Sequence, residues 1–278
     1  MRTEQKVWLV TGVSGGLGKE LAKKIHESGD IIIGTVRNEE DKKRFELDFP
    51  ERSKAVFLDL ADTAAMSAVV AESLKAFGKI DVLVNNAGYG LFGFVEEATE
   101  AELRHQIDIS FIGVWKLIKE VLPSMRKRGK GHIIQISSRV GIAAGTGGGL
   151  YAAGKFALEG MSEALAQEVA PFGIKVTLAE PGPLRTDFFG RSVVFTAEEI
   201  PEYKSAVADI RERSRKVNGT QGGDPAKVAA VIVEISKLEN PPLRLPFTQA
   251  TIDSLEQKIS SFQQIIADWK EVAVSVAY

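Results

Sequence analysis

Three residues in the middle of the chain have the types and the spacing of an acid–base site. Tyr151 and Lys155 are four residues apart, so a helix would place a phenol and an ammonium group on one face. Ser138, thirteen residues before Tyr151, adds a hydroxyl that can hold a substrate oxygen. We expect the charge of Lys155 to lower the pKa of Tyr151 from its ordinary value near ~10. The trio predicts proton transfer to or from a carbonyl or an alcohol, although the pair alone also suits a buried tyrosine beside a solvated lysine.

A glycine-rich segment near the start of the chain has the composition of a phosphate-binding loop. It reads TGVSGGLG from Thr11 to Gly18 and lies between the apolar run Val7 to Val10 and a helical pattern. Glycine accepts positive φ and lets the backbone approach a ligand, and a helix N-terminus attracts anions. The segment therefore predicts a pyrophosphate site, with a turn that only packs helix against strand as the alternative.

Short β-branched runs alternate with amphipathic stretches along most of the chain. The predicted strands are 7–10, 31–36, 55–58, 82–84, 133–136, 175–178 and 243–247. The predicted helices lie near 17–28, 39–47, 62–77, 101–128, 151–170 and 225–239. The strand runs are almost wholly apolar, which is typical of parallel strands covered on both faces. We predict an α/β fold, doubly wound around a parallel sheet of about seven strands, with helices on both faces.

The alternation contains no linker and no repeat, so we expect residues 1–278 to form one domain. The segment at about 184–221 is irregular and mixes aromatic residues with many charges. Long segments of this kind are usually lids or disordered, and we expect this one to cover a substrate. Apolar residues at helical spacing predict a last amphipathic helix at about 250–270.

Composition argues against several classes of function. The formal net charge of −2 gives no strong positive field that would attract nucleic acid or an anionic membrane. The sequence has no cysteine, which excludes disulfides, thiol catalysis and thiolate zinc sites and fits a reducing compartment. The sequence shows no signal-peptide core, no run long enough to span a membrane and no clustered histidines. We therefore expect a cytoplasmic protein with no bound metal.

Further motifs follow the glycine loop in a fixed order, each at the end of a predicted strand or in its expected element. They are Asp59-Leu60, Asn85-Asn86-Ala87-Gly88, Ser138 with the YxxxK pair, and Pro181-Gly182 with Thr186. Together with the TGxxxGxG spacing of the loop, they resemble the short-chain dehydrogenase/reductase family. The resemblance covers roughly residues 5–190 and implies a Rossmann-type oxidoreductase that binds a nicotinamide dinucleotide.

The resemblance implies a role for each matching residue. Tyr151 would protonate the carbonyl oxygen in reduction and take the alcohol proton in oxidation, while Ser138 would polarise the substrate oxygen. Lys155 would bind the nicotinamide ribose and lower the pKa of the tyrosine, together with the charge of the oxidised nicotinamide. The positions that the resemblance assigns to the cofactor are Gly12, Ser14, Gly16, Leu17, Gly18, Asp59, Leu60, Asn86, Ala87, Gly88, Tyr151, Lys155, Pro181, Gly182 and Thr186. Of these, Asp59 would bind adenine, and Asn86 would contact ribose or stabilise the neighbouring strand.

Ser110 is a departure from the family pattern. The family usually has an asparagine there as its fourth catalytic residue, where it holds a water that links the lysine to solvent. A serine hydroxyl has a shorter reach and a different donor pattern. We expect Ser110 to serve as this fourth residue with slower proton exchange. The alternative is that it is an ordinary helix residue.

The end of the second predicted strand predicts which dinucleotide binds. An acidic residue there would bind the 2′-hydroxyl of NAD, but Val36 and Arg37 occupy the position. A guanidinium matches phosphate geometry, so we predict NADP(H) rather than NAD(H). The alternative is that Arg37 is a solvated surface residue.

Aromatic and apolar residues after the asparagine motif predict the character of the substrate. Tyr89, Leu91, Phe92 and Phe94 would wall a pocket for an apolar carbonyl compound or alcohol. In relatives the helices matching 101–128 and 151–170 pair between subunits, so we expect a homodimer or homotetramer. The predicted function is an NADP(H)-dependent oxidoreductase. A non-catalytic NADP(H)-binding redox sensor on the same fold is the alternative.

Overall fold

The computed structural model describes residues 5–278, which contain nine β-strands and nine α-helices. The strands are β1 Val7–Val10, β2 Ile31–Val36, β3 Ser53–Phe57, β4 Val82–Asn85, β5 Gly90–Phe92, β6 Gly131–Ile136, β7 Ile174–Pro181, β8 Val193–Phe195 and β9 Arg244–Phe247. The helices are α1 Gly16–Glu27, α2 Glu39–Asp48, α3 Met66–Phe77, α4 Glu100–Ile107, α5 Gly113–Arg128, α6 Gly149–Val169, α7 Lys204–Val217, α8 Pro225–Ile235 and α9 Gln249–Ser275. The prediction that the N-terminal segment is not a signal peptide includes residues 1–4, which lie outside the described residues.

Seven of the strands form one parallel sheet in the order β3-β2-β1-β4-β6-β7-β9. The order reverses beside β1, where the chain crosses from the β2–β3 side to β4 and the strands beyond it. Buried side chains form two clusters, one containing Leu9 and Leu83 and the other Trp8 and Val84. Because neighbouring residues of a strand point to opposite faces, these clusters lie on the two sides of the sheet. The predicted doubly wound parallel sheet with helices on both faces is confirmed.

The helix predicted at 101–128 is interrupted. Residues Asp108–Ile112 form a π-helical turn between α4 and α5, and Ser110 lies buried in its middle. Such turns insert a residue into the helix ladder and are frequent at functional sites. The helix predicted from residue 62 also begins later, at Met66, after a turn.

The segment at 184–221 contains regular structure that the sequence pattern did not reveal. It includes a π-helical turn at Phe188–Ser192, strand β8 and helix α7. Strand β8 pairs in parallel with β5, which lies just after the asparagine motif. This small second sheet attaches the segment to the carboxyl edge of the main sheet.

The last helix, α9, is longer than the predicted 250–270. It begins beside β9 and its early residue Thr251 is buried, whereas its later residues are exposed. No helix within residues 5–278 has the length and apolar character needed to cross a membrane.

Candidate active site

The strand ends of the main sheet bring the sequence motifs to one edge. The glycine loop follows β1, Arg37 follows β2, and Asp59-Leu60 comes shortly after β3. The asparagine motif runs on from β4, Ser138 follows β6, and Pro181-Gly182 lies at the end of β7. Ligands of doubly wound sheets bind at this carboxyl edge, where the strand order reverses. The parallel register therefore explains why residues more than 100 positions apart lie at one site.

The acid–base trio is assembled as the spacing predicts. Tyr151 and Lys155 lie on one face of α6, both buried, and Lys155 Nζ is 5.9 Å from the centre of the Tyr151 ring. Ser138 caps a short turn after β6, where its hydroxyl accepts a hydrogen bond from Val140 N at 3.3 Å. The side chain of Ser138 is also close enough to that of Tyr151 to favour the ionised phenol. Lys155 Nζ donates to the Ile136 carbonyl at 2.7 Å, which fixes the lysine against the end of β6.

Burial controls the protonation of the trio. It raises the pKa of Tyr151 to about 12, and the nearby Ser138 side chain only partly opposes that rise. This direction is opposite to the lowering that we expected from Lys155 together with the nicotinamide, because loss of water around the buried phenol dominates. Burial also lowers the pKa of Lys155 to about 8, although the Glu159 carboxylate raises it in part. Tyr151 is therefore a protonated phenol at neutral pH, which is the form that donates a proton.

A buried carboxyl cluster lies directly behind the trio, and sequence reasoning missed it. Glu159, one turn after Lys155 on α6, and Glu180, at the end of β7, both bind the guanidinium of Arg244. Arg244 Nη2 also binds the more exposed Glu163 at 3.1 Å. Burial raises the pKa of Glu159, and burial together with the Glu159 charge raises the pKa of Glu180 to about 7. The available signals were the four-residue step from Lys155 to Glu159 and the position of Glu180 next to the Pro181-Gly182 motif.

Ser110 is close to α6 but is bound to another partner. Its hydroxyl accepts a hydrogen bond from Gln106 Nε2, and Gln106 Oε1 accepts one from Leu91 N at 2.8 Å. A Cβ placed on Gly154 would lie 2.8 Å from Ser110 Cβ, so the π-helical turn and α6 are in close contact. No hydrogen bond joins Ser110 to Lys155 in the described part of the chain. The buried Gln106 therefore connects Ser110 to the backbone at β5.

The glycine loop has the geometry of an anion cradle. The N-cap of α1, Gly15, makes no side-chain hydrogen bond, which leaves the first-turn N–H groups without a side-chain acceptor. Gly12 has a φ of +72°, and a Cβ on Gly18 would lie 2.1 Å from the Gly12 carbonyl oxygen, so both positions require glycine. Thr186 faces this turn, 3.5 Å from where a Gly16 Cβ would lie. An uncapped helix N-terminus behind a glycine-rich loop fits the pyrophosphate of a dinucleotide.

The remaining predicted cofactor residues surround this cradle. The side chain of Asn86 is committed to the loop itself, because its amide donates to the Thr11 and Gly12 carbonyls at 2.9 and 3.1 Å. These bonds join the asparagine motif to the loop after β1, and the expected contact of Asn86 with ribose stays a prediction. Gly182 N donates to the Phe247 carbonyl at 3.1 Å. Ser14, Leu60, Ala87 and Gly88 lie in the loops after β1, β3 and β4, whereas Leu17 lies in the first turn of α1 and Pro181 is the last residue of β7.

One arginine contacts the glycine loop at Ser14, and another directly follows β2. Arg37 is exposed directly after β2. Arg44 of α2, which sequence reasoning missed, donates to the Ser14 carbonyl at 3.1 Å and pairs with Asp41. Asp59 faces its own loop, where its carboxylate accepts from Ala61 N at 2.9 Å. No group of side chains in residues 5–278 suits a metal ion.

Aromatic rings wall the space in front of Tyr151. The centre of its ring is 6.0 Å from that of Phe92 and 5.9 Å from that of Phe188. Phe189 and Phe195 also pack against Phe92. Three of these rings, including Phe188, come from the 184–221 segment. That segment therefore contributes an apolar wall beside the acid–base trio.

Comparison with known proteins identifies the family and supports the fold. The family described as short chain dehydrogenase matches residues 6–195, which is more than half of the chain. Oxidoreductase BOA17 of Botryotinia fuckeliana is 34% identical over 98% of this chain and 99% of its own. The 3-ketodihydrosphingosine reductase of Bacteroides thetaiotaomicron is 37% identical over 87% of each chain. The solved structure of a short-chain dehydrogenase from Streptomyces avermitilis has a TM-score of 0.91 and 39% identity, covering 99% of this chain and 100% of the other.

Proposed function

The chain belongs to the short-chain dehydrogenase family of oxidoreductases, and on that basis we propose that it interconverts a ketone or aldehyde and the corresponding alcohol with NADP(H). The observation that carries the proposal is the meeting of Tyr151, Ser138 and Lys155 beside the glycine cradle. When bound there, a nicotinamide supplies or accepts the hydride. The protein has to bind the dinucleotide, orient the substrate and move one proton.

In reduction, the proposed proton donor is Tyr151. Its pKa of about 12 keeps the phenol protonated at neutral pH, and the Ser138 side chain lies close to it. A substrate oxygen held by both hydroxyls receives the tyrosine proton as negative charge develops on it. Lys155, anchored on the Ile136 carbonyl, supplies positive charge that stabilises the tyrosine oxygen after the transfer. In oxidation the same groups work in reverse, with the phenolate taking the alcohol proton.

Replacing Tyr151 with phenylalanine tests this assignment. The variant keeps the ring packed against Phe92 and Phe188 and loses only the hydroxyl. Oxidation of NADPH with a panel of apolar ketones is followed by absorbance, and NADPH affinity by titration of fluorescence. We expect turnover to fall by ~100-fold or more, the usual worth of a general acid, with NADPH affinity unchanged. Undiminished turnover by Tyr151→Phe contradicts the assignment of Tyr151 as proton donor. If the wild-type protein binds NADPH but turns over no substrate, the redox-sensor alternative is supported instead.

We propose that the 2′-phosphate of NADP(H) binds between Arg37 and Arg44. Arg44 contacts the glycine loop at Ser14, Arg37 is exposed directly after β2, and no carboxylate follows β2 directly, where it would repel the phosphate. The ratio of kcat/KM for NADPH to that for NADH measures the preference. We expect Arg37→Ala to reduce this ratio at least tenfold by raising KM for NADPH, whereas an unchanged ratio removes Arg37 from the site.

Ser110 is proposed as the counterpart of the family asparagine, acting with Gln106. In the structure the Ser110 hydroxyl is bound to Gln106 rather than to Lys155, and Gln106 is held by Leu91 N. If this pair helps proton exchange, Ser110→Ala slows turnover in the pH range where that exchange limits the rate. An unchanged rate and pH profile makes Ser110 a packing residue.

The finer features of the proposed enzyme follow from the surroundings of the site. The aromatic wall favours an apolar carbonyl substrate, and the similarity to a 3-ketodihydrosphingosine reductase supports a ketone. We propose that residues 1–278 act as one catalytic domain and that the 184–221 segment covers the bound substrate. We also propose that the protein assembles into a dimer or tetramer through α5 and α6. A cytoplasmic location is a further proposal.

A further inference from the structure

The second half of α9 extends away from the rest of the protein. The helix starts against the body, where Thr251 is buried and Arg139 Nη1 donates to Ser254 Oγ at 3.4 Å. From Ile259 onward every residue is exposed, on all sides of the helix. At 1.5 Å per residue, residues 259–275 form an arm about 25 Å long. We call these residues the α9 arm.

The exposed arm has an apolar seam with the repeat of a coiled coil. Steps of three and four residues alternate along α9, which keeps the apolar side chains on one stripe as the helix turns. The seam residues are Ile252, Leu255, Ile259, Phe262, Ile266, Trp269 and Ala273. Within the arm, Phe262, Ile266 and Trp269 are 52%, 60% and 61% exposed. Ile265 and Val272 widen the seam on one side and are also exposed.

This seam is large enough to form an interface. A helix of this length gains most of its stability from packing its apolar face, yet every residue of the arm is exposed. The exposed fractions of the seam and its flank amount to roughly 700 Å² of apolar surface, since an aromatic side chain alone carries roughly 150–250 Å². A stable protein interface buries about 800 Å² on each partner. Patches above a few hundred Å² on a protein surface mark sites of association.

We propose that the α9 arm pairs with the α9 arm of a second copy of this chain, seam against seam, as a short two-stranded coiled coil. A heptad seam is self-complementary, because side chains of one helix fill the spaces between those of an identical partner. A lipid surface fits less well, because membrane-surface helices are rich in lysine and arginine on the polar face. From residue 249 onward the chain has four carboxylates and only two lysines. This contact is separate from the proposed pairing of α5 and α6 and does not depend on the proposed reaction.

Charge placed in the seam tests the pairing in the full-length protein. The test variant is Ile259→Glu with Ile266→Glu, and Ser261→Glu on the polar face is the matched control. Analytical ultracentrifugation at micromolar protein measures the mass. We expect the seam variant to have half the mass of the wild type, whether dimer to monomer or tetramer to dimer, and the control to keep the wild-type mass. A monomeric wild type, or a seam variant of unchanged mass, overturns the proposal.

Cysteine cross-linking gives a second readout that does not depend on destabilising the assembly. Because the native sequence has no cysteine, each introduced thiol is the only one in its chain. Parallel arms cross-link through Ile266→Cys alone, and antiparallel arms through an equal mixture of Ile259→Cys and Ala273→Cys. The Ser261→Cys control stays uncross-linked on non-reducing gels. Absence of cross-links in both arrangements overturns the proposal. Wild-type binding to phosphatidylserine vesicles that is lost in the seam variant also overturns it, because that result would assign the seam to lipid.

Discussion

The charge of Lys155 depends on a residue one helical turn further along α6. Burial lowers the pKa of Lys155 to about 8, and the Glu159 carboxylate limits that fall. Above this pKa the lysine loses its proton, so activity that needs the ammonium falls on the alkaline side. Replacing Glu159 with glutamine removes the charge that favours the ammonium. The pKa of Lys155 then falls further, and the alkaline limb of kcat/KM moves to lower pH, by about one unit.

This prediction has a matched control on the same helix. Glu163 also binds Arg244 but is largely exposed, so Glu163→Gln should leave the alkaline limb in place. A readout without turnover is the ¹³Cε resonance of Lys155, assigned by its loss in Lys155→Met and titrated in both variants. If Glu159→Gln leaves the titration of Lys155 unchanged, the carboxylate has no influence on the lysine. If the titration shifts while the pH–rate profile does not, the proposed role of Lys155 is wrong instead.

The protonation of Glu180 makes stability depend on pH in an unusual direction. Its pKa rises to about 7 from an ordinary value of 4.5, so the folded protein binds this proton more tightly than the unfolded chain. That contribution is fully present below pH 4.5 and is lost as the pH rises through about 7. Glu180→Gln removes it, so the variant gains stability relative to wild type between pH 5 and 8, by at most about 3 kcal/mol. Urea unfolding at several pH values measures the difference, and a difference independent of pH contradicts the assignment.

Spacing reveals residues of a site only where the partners are close in sequence or fit a motif. Tyr151 and Lys155 were predictable because four residues make one helical turn. The ion pairs of Arg244 with Glu159 and Glu180 join positions 85 and 64 residues apart, which no local pattern reveals. The raised pKa of Tyr151 was also hidden, because the cost of burying a phenol depends on the packing around it.

At the scale of elements, the contact of the π-helical turn with α6 fixes the position of the trio. A Cβ on Gly154 would lie 2.8 Å from Ser110 Cβ, whereas a Cβ on Gly160 of the same helix meets nothing within 4 Å. We expect Gly154→Ala to lower the free energy of unfolding by roughly 1–3 kcal/mol, because the turn has to shift. Gly160→Ala should raise it by about 0.5–1 kcal/mol, because alanine is the better helix former at an open position. Denaturant unfolding measures both, and equal effects would contradict the close contact.

Element boundaries were predictable where a local rule sets them and not where a distant partner does. Asp224 caps α8 and Pro225 occupies its first position, as the sequence pattern indicates. The break at Asp108–Ile112 has no glycine or proline, so periodicity alone favoured one continuous helix over 101–128. Strands β5 and β8 have three residues each and exist through their pairing with one another across about 100 residues of chain. Their short runs carry too little pattern to indicate a strand.

For the whole molecule, apolar strand runs and their alternation with helices were sufficient to predict the doubly wound sheet. Parallel strands covered on both faces need continuous apolar sequence, and right-handed crossovers leave few arrangements. The same patterns indicated helix α9 but not that its second half extends away from the rest of the protein. An amphipathic stripe indicates that a helix packs on a partner. Here the α9 arm, residues 259–275, stays exposed in the described part of the chain.

The relation of the 184–221 segment to the sheet leads to a test of substrate choice. Phe188 belongs to this segment, and its ring centre lies 5.9 Å from that of Tyr151, where the proposed apolar substrate would pack. We expect Phe188→Ala to lower kcat/KM for a bulky apolar ketone by tenfold or more, because burying an apolar group there contributes about 1.5–3 kcal/mol. A small ketone that does not reach the wall should lose much less. The control is Phe172→Ala, since Phe172 is exposed just before β7 at the opposite edge of the sheet. Equal losses for the bulky and the small ketone would show that Phe188 supports the fold of the site rather than the choice of substrate.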